Sequence, residues 1–549
     1  MKSMSHRNLY TGDSSYLFFD PEIYNPGGGP YTVKVIHDHI AHLAANGIDT
    51  YLCNPQGSGN WWFSKRMPTI FDGYRRGDRE FVRRHAACDG VTAPPEAVEK
   101  HIDYLIRSLD HYLDLQEAGI DWVAECVRAC RRYGISPWVT VRMNDMHGSS
   151  DLLSFFNAPP FRDAANHLSG RWVSTSPGGN PFTSYYFAGL NYALQPVRDF
   201  YTGTIRELIE EYDLDGLELD WLRNPLCCEP DAPQEQVDLV THFHAEIRDL
   251  TRAKAKETGH PFSLGLRIPP NLGLLKSIGI DVSGIARAGV VDFINPSNFW
   301  QTSWDLPYDR YRAEFGDDVA IYGVIEGAPN WVEGYSPADG KSGTRLMATS
   351  AELLRGNAAG KLVMGVDGLE YFNFFCADSS VWHTGSALGN YAPLRDLPHL
   401  DRLRGQPKHY ALSTMPGKCW VPPFEQEEQL PVILEPLWRR AFRLTMCAEP
   451  STAKLTLQIV VEKKEKLTPL GVSLNGCWPR FESRTTDCLL FAAGAFSHHL
   501  PQHQAFDYDL PISLVRDGWN DIVLYNGASW QEKSDGSVRV VSIELAVRT

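Results

Sequence analysis

Between Tyr16 and Asn373 one pattern recurs: a short apolar run, then an amphipathic stretch or a long insertion, eight times. The runs lie at residues 16–20, 48–54, 135–144, 215–221, 262–268, 290–295, 319–326 and 368–373. Between them, apolar residues fall at helical spacing, as in Ile102, Leu105, Ile106, Leu109 and Leu113, or Ile205, Leu208, Ile209 and Tyr212. Alternating strand and helix, eight times over, predicts an α/β fold of the (β/α)8 TIM barrel kind. After Asn373 the helical rhythm stops, and residues 395–430 are Pro-rich and irregular. From residue 431 short β runs follow, separated by turn pairs such as Asn475-Gly476 and Asp517-Gly518. The expected organisation is a barrel over residues 1–394, a linker or wrapping segment over 395–430, and an antiparallel β-sandwich over 431–549.

Acidic residues outnumber basic ones by 67 to 52, which argues against a nucleic-acid partner, since phosphate binding needs a basic face. The charged fraction of 22% and hydrophobic fraction of 43% exclude disordered, collagen-like and membrane-embedded classes. Eleven scattered cysteines read as reduced thiols, with Cys126 and Cys130 packing on one helix face. No CxxC pair or Cys/His cluster has zinc-ligand spacing, so neither metal nor cofactor is expected. With no apolar leader visible from Met1 to Tyr10, a soluble, cytoplasmic protein without a membrane partner is expected. Subunit number, a homodimer included, stays open.

Two insertions follow strand ends, where barrel enzymes build their sites. The first carries Trp61, Trp62 and Phe63, then Arg75, Arg76, Arg79, Arg83 and Arg84; the second carries Phe155, Phe156, Phe161, Trp172, Phe182, Tyr185, Tyr186 and Phe187. The aromatics can form a sugar-binding wall or small cores beneath long loops. The arginines can be a ligand site, a subunit contact or a solvated face.

Alternation selects the side chains that point inward. In Asp215-Gly-Leu-Glu-Leu-Asp-Trp, Glu218 and Asp220 share one face and Leu217, Leu219 and Trp221 the other. Asp20 ends the first run, Glu326 the seventh, and Glu370 and Asn373 lie in the eighth. Arg142, Arg223 and Arg267 sit at or just past the ends of runs three, four and five, with Asn144 and His147 just beyond Arg142. Three clustered arginines call either for the inward carboxylates as partners or for an anionic ligand captured in bidentate fashion. No nucleophile elbow, dinucleotide fingerprint or phosphate loop follows a strand.

The run around Glu218 and Asp220 resembles strand four of many barrel glycoside hydrolases, though Leu222 stands where a chitinase would place its acid. With Tyr51-Leu-Cys-Asn-Pro, the broader pattern resembles the glycosyl-hydrolase-like barrel proteins, and within that group the positions of acid, arginine and histidine resemble the inverting sialidases of glycoside hydrolase family 156. The resemblance implies an exo-glycosidase releasing terminal sialic acid from glycoconjugates by single displacement. It implies Asp20 as base, with Asp13 the nearby alternative, and His147 as acid. Arg142, Asn144, Arg223, Arg267 and Asn373 would hold the sugar, and the partners would be sialylated or other anionic glycans. Two rivals stay open: a conventional glycosidase of neutral sugars using Asp220 and Glu326, and a non-catalytic carbohydrate-binding barrel.

Overall fold

The computed structural model describes residues 6–14, 16–19, 30–86, 94–145, 154–169, 189–222, 224–229, 231–298, 302–326, 331–333, 344–346, 350–374, 391–412, 429–464, 470–478, 483–493, 496–529 and 536–549. By internal contacts it divides into two units. One holds residues 1–299, 314–322 and 419–425, the other residues 300–313, 323–418 and 426–549.

Eight strands close into a barrel: β1 (Asn8–Asp13), β2 (Thr50–Asn54), β3 (Ser136–Arg142), β4 (Gly216–Asp220), β5 (Ser263–Ile268), β6 (Phe293–Pro296), β7 (Ala320–Glu326) and β8 (Gly368–Phe372). Their order around the barrel is β1-β8-β7-β6-β5-β4-β3-β2. From β1 round to β6 every neighbouring pair runs parallel, in registers such as Arg142 opposite Asp220 opposite Arg267. Seven of the eight expected runs are barrel strands.

The first run is the exception. Tyr16–Phe19 is a helical turn, opened by a bond from the Leu17 amide to the Ser14 carbonyl, and the strand is the more polar Asn8–Asp13 just before it. The reason lies in the side chains. Within Asn8–Asp13, residues 9–13 pair one for one with Thr50–Asn54, and the inward residues Leu9 and Thr11 continue the floor and the polar layer above it. Phe18 instead stacks on Tyr112 at 3.6 Å and on Tyr31 at 5.0 Å, in an aromatic cluster outside the barrel wall.

The barrel floor is apolar. Leu9, Leu52, Trp138, Phe293, Ala320 and Tyr322 form one buried cluster, with the Trp138 and Phe293 rings 5.1 Å apart. Gly265 makes room for them: a Cβ there would lie 2.2 Å from the Phe293 ring. Two residues further along the strands, the same inward face turns polar with Thr11, Asn54, Thr140 and Glu218. On the outer face of β4, the buried Trp221 indole donates to Nε2 of His244 at 3.0 Å, while His244 Nδ1 donates to the Val240 carbonyl at 2.7 Å. That pattern needs a neutral ring, and burial lowers the His244 pKa to about 4.

In the second unit, the strands expected after residue 431 are present, and Lys408–Leu412 joins them from within the segment expected to link. Lys408–Leu412, Val538–Arg548, Lys454–Glu462, His503–Leu510 and Arg484–Thr486 form one antiparallel sheet, with Val432–Leu434 also pairing Val538–Arg548. Arg439–Met446, Gly518–Tyr525 and Gly471–Leu474 form another. Alternate residues such as Leu457, Ile459, Ile543 and Leu545 meet Phe442, Leu444, Ile522 and Leu524 in one core, which makes a β-sandwich. The barrel helix Ala351–Leu362 packs on it through Gly356, where a Cβ would lie 2.3 Å from the His409 carbonyl oxygen. No helix among the described residues is long and apolar enough to cross a membrane.

Two outcomes test this packing. Gly265→Ala should cost about 1–3 kcal/mol by overfilling the barrel floor, and Phe293→Leu in the same chain should recover part of it, as read from urea unfolding. A fully additive double variant would contradict the shared space. For His244 the folded pKa lies below the unfolded one, so the unfolded chain binds more protons between pH 6.5 and about 4. Stability should therefore fall through that window, by up to about 3 kcal/mol, and His244→Gln should flatten the dependence.

Candidate functional site

The polar layers above the barrel floor are built by alternation. β1 ends on Asp13, β3 on Arg142 and β4 on Asp220, and Arg267 is the penultimate residue of β5. Below them, Glu218 is completely buried and accepts from Thr140 Oγ1 at 2.7 Å and Asn295 Nδ2 at 2.6 Å. Glu218 thus takes neutral donors from β3 and from β6.

Arg142 lies between two carboxylates. One guanidinium nitrogen bonds Asp145 at 2.6 Å and the other bonds Asp13. Asp145 is buried, whereas the Asp13 side chain keeps 21% of its surface exposed. Asp13 is therefore the open carboxylate of this trio. Arg267 pairs with Asp220 at 3.2 Å, both side chains 1% exposed, and Asp220 also accepts from the Leu222 amide at 2.9 Å.

The sequence expectations sort accordingly. Arg267 has a carboxylate partner in Asp220, and Arg142 has two, Asp13 and Asp145. Asn144 is fully buried and engaged: its amide nitrogen donates to the Leu226 carbonyl at 2.6 Å, and its oxygen accepts from the Leu190 amide at 2.9 Å. It fastens two loops together. Asp20, His147 and Arg223 lie outside the described residues. In the second unit, Glu326 ends β7 buried, its backbone bonded through the Thr302 hydroxyl, and Asn373 follows β8 with a left-handed φ of 48°.

Sequence reasoning missed Asp145. The signal was present, since it lies three residues after Arg142 in Arg142-Met-Asn-Asp, but the loop geometry that turns it back was not legible. The described insertion aromatics form small cores: Phe155 and Phe156 stack at 4.3 Å, and Trp62 and Phe161 are buried. Arg76, Arg79 and Arg83 pair with carboxylates of the helix Pro95–Glu117 on an exposed face. Cys126 and Cys130 are buried, as packing residues are.

These six side chains place four carboxylates against two guanidiniums. They can hold a polarised hydroxyl or a water and take up a proton.

Removing Arg267 should leave Asp220 as an unpaired charge in a dry site, so Arg267→Met should destabilise by about 3–5 kcal/mol. Arg142→Ala should destabilise to a similar degree, because buried Asp145 loses its cation even though Asp13 is open to water. Thermal unfolding of the two variants side by side checks both losses.

No family model matches the chain, and no curated protein does. Among solved structures, the chain is similar to the glycoside hydrolase domain of PgaB (BpsB) from Bordetella bronchiseptica, at 9% identity and TM-score 0.38, over 72% of this chain and 98% of that one. It is also similar to an Anoxybacillus α-amylase, at 11% identity and TM-score 0.37, over 95% and 98%. A third similarity is to α-L-fucosidase isoenzyme 1 of Paenibacillus thiaminolyticus, at 11% identity and TM-score 0.32, over 95% and 96%. Likenesses of this size decide neither substrate nor mechanism.

Proposed function

We propose that the protein is an exo-acting glycoside hydrolase that cleaves sialosides by single displacement, with Asp13 as base and His147 as acid. The observation that carries this reading is Asp13: a carboxylate at the C-terminal end of β1, partly open to solvent and steadied by Arg142. Active sites of this fold gather at that end of the strands. The family resemblance asks for an aspartate at the end of strand one, and with β1 ending on Asp13 that role passes from Asp20 to Asp13. In the step itself, Asp13 takes a proton from water as the water oxygen bonds to the anomeric carbon. The bond from that carbon to the aglycone oxygen breaks, and His147 gives that oxygen its proton. A sialoside carries its own carboxylate on the anomeric carbon. That charge would repel a carboxylic acid's conjugate base, whereas it favours an imidazolium.

A second reading is favoured by the charge balance. Asp13, Asp145, Glu218 and Asp220 outnumber Arg142 and Arg267 by two, and an acidic mouth suits a neutral sugar passing through a cationic transition state. The sialoside reading relies on Arg223 and His147 to redress that balance. Initial rates on an aryl sialoside and on neutral aryl glycosides separate the two: the proposal expects turnover of the sialoside alone. Turnover of neutral glycosides alone overturns the sialoside reading and keeps the glycosidase.

Two variants test the roles. Asp13→Asn should abolish turnover of activated and natural substrates alike, because water needs its base whatever leaves. Normal activity in that variant moves the base elsewhere. His147→Ala should slow natural substrates by about 10²–10⁴-fold and aryl substrates far less, because only a poor leaving group needs the proton.

A further inference from the structure

The sequence shows no zinc-ligand spacing, but the fold of the second unit creates one. Cys488–Ala493 and Phe496–His498 are antiparallel strands of a short hairpin, and Cys488 and His498 are direct cross-strand partners. The chain bends at Asp487, where the His499 amide donates to the Asp487 carbonyl at 2.6 Å. The Asp487 carboxylate thereby comes to 3.7 Å from Cys488 Sγ. One ligand atom from each of Asp487, Cys488 and His498 lies within 4.8 Å of the others, and all three residues are exposed.

We propose that Asp487, Cys488 and His498 bind a zinc-class divalent cation, with a fourth position open to water. Tetrahedral zinc with bonds of about 2.3 Å to sulfur and about 2.1 Å to oxygen sets those two ligands about 3.6 Å apart. The Cys488 to Asp487 separation already matches that figure. Small side-chain rotations bring in the imidazole. A thiolate, a carboxylate and a neutral imidazole cancel the charge of a divalent ion, and the thiolate selects zinc over calcium or magnesium. The thiol proton leaves to solvent on binding. The frame is braced from beneath. Gln458, itself buried, donates to the Cys488 carbonyl at 3.1 Å and accepts from the Leu490 amide at 3.1 Å. Ser497 Oγ lies 2.8 Å from His498 Nδ1 and orients the ring.

The test is cobalt titration of the full-length, phosphine-reduced, metal-stripped protein, followed by displacement with zinc. The wild type should take up one equivalent with a thiolate-to-cobalt charge-transfer band that zinc abolishes. Cys488→Ser should lose the band, and Asp487→Ala and His498→Ala should each weaken binding by about tenfold or more. Cys477→Ser, which removes the other exposed thiol among the described residues, should change nothing. Absence of the band in the wild type, or a Cys488→Ser variant that titrates like it, overturns the site.

Discussion

The ion pairs of Arg142 govern the barrel mouth. A guanidinium at the end of β3 stands between a buried carboxylate, Asp145, and an open one, Asp13. The buried half anchors it: Asp145 could not keep its charge in that position without a cation beside it. The open half then acquires a fixed direction. One arginine therefore fastens the loop after β3 and presents a carboxylate at the end of β1, so structure and chemistry are not separable here. A lysine would serve less well, because a point charge cannot bridge two carboxylates in defined directions as a planar fork does.

The rest of the interior follows from stacking this polar layer on an apolar one. Trp138 and Phe293 close the floor, helped by a glycine where a methyl group would collide. Above them Glu218 accepts from Thr140 and Asn295, Asp220 pairs with Arg267, and Arg142 pairs with Asp13 and Asp145. Buried charges in a dry barrel are costly unless so arranged, and a chain selected only for stability would place apolar residues there.

Much of the fold was legible because strand periodicity and apolar content agree for β2 to β8. They disagree at β1. There the more apolar run, Tyr16–Phe19, serves the aromatic cluster around Tyr112, and the more polar Asn8–Asp13 enters the sheet beside β2. That one displacement also moved the expected base from Asp20 to Asp13. The shared face of Glu218 and Asp220 on β4 was legible from alternation, but the pairing of Arg142 was not, because Asp145 reaches it through a turn whose geometry no local spacing announces. The same limit hid the Asp487, Cys488 and His498 cluster, whose members come together only across a hairpin.

The central claim is that an open carboxylate at the end of β1 activates water for direct attack on the sugar. Direct attack has one stereochemical consequence, inversion at the anomeric carbon. Proton NMR of the first sugar released by the wild-type protein reads it before mutarotation intervenes. The account predicts the anomer opposite to the substrate's, the β-anomer from an α-sialoside. Initial release of the same anomer as the substrate would require a covalent intermediate and would contradict the account.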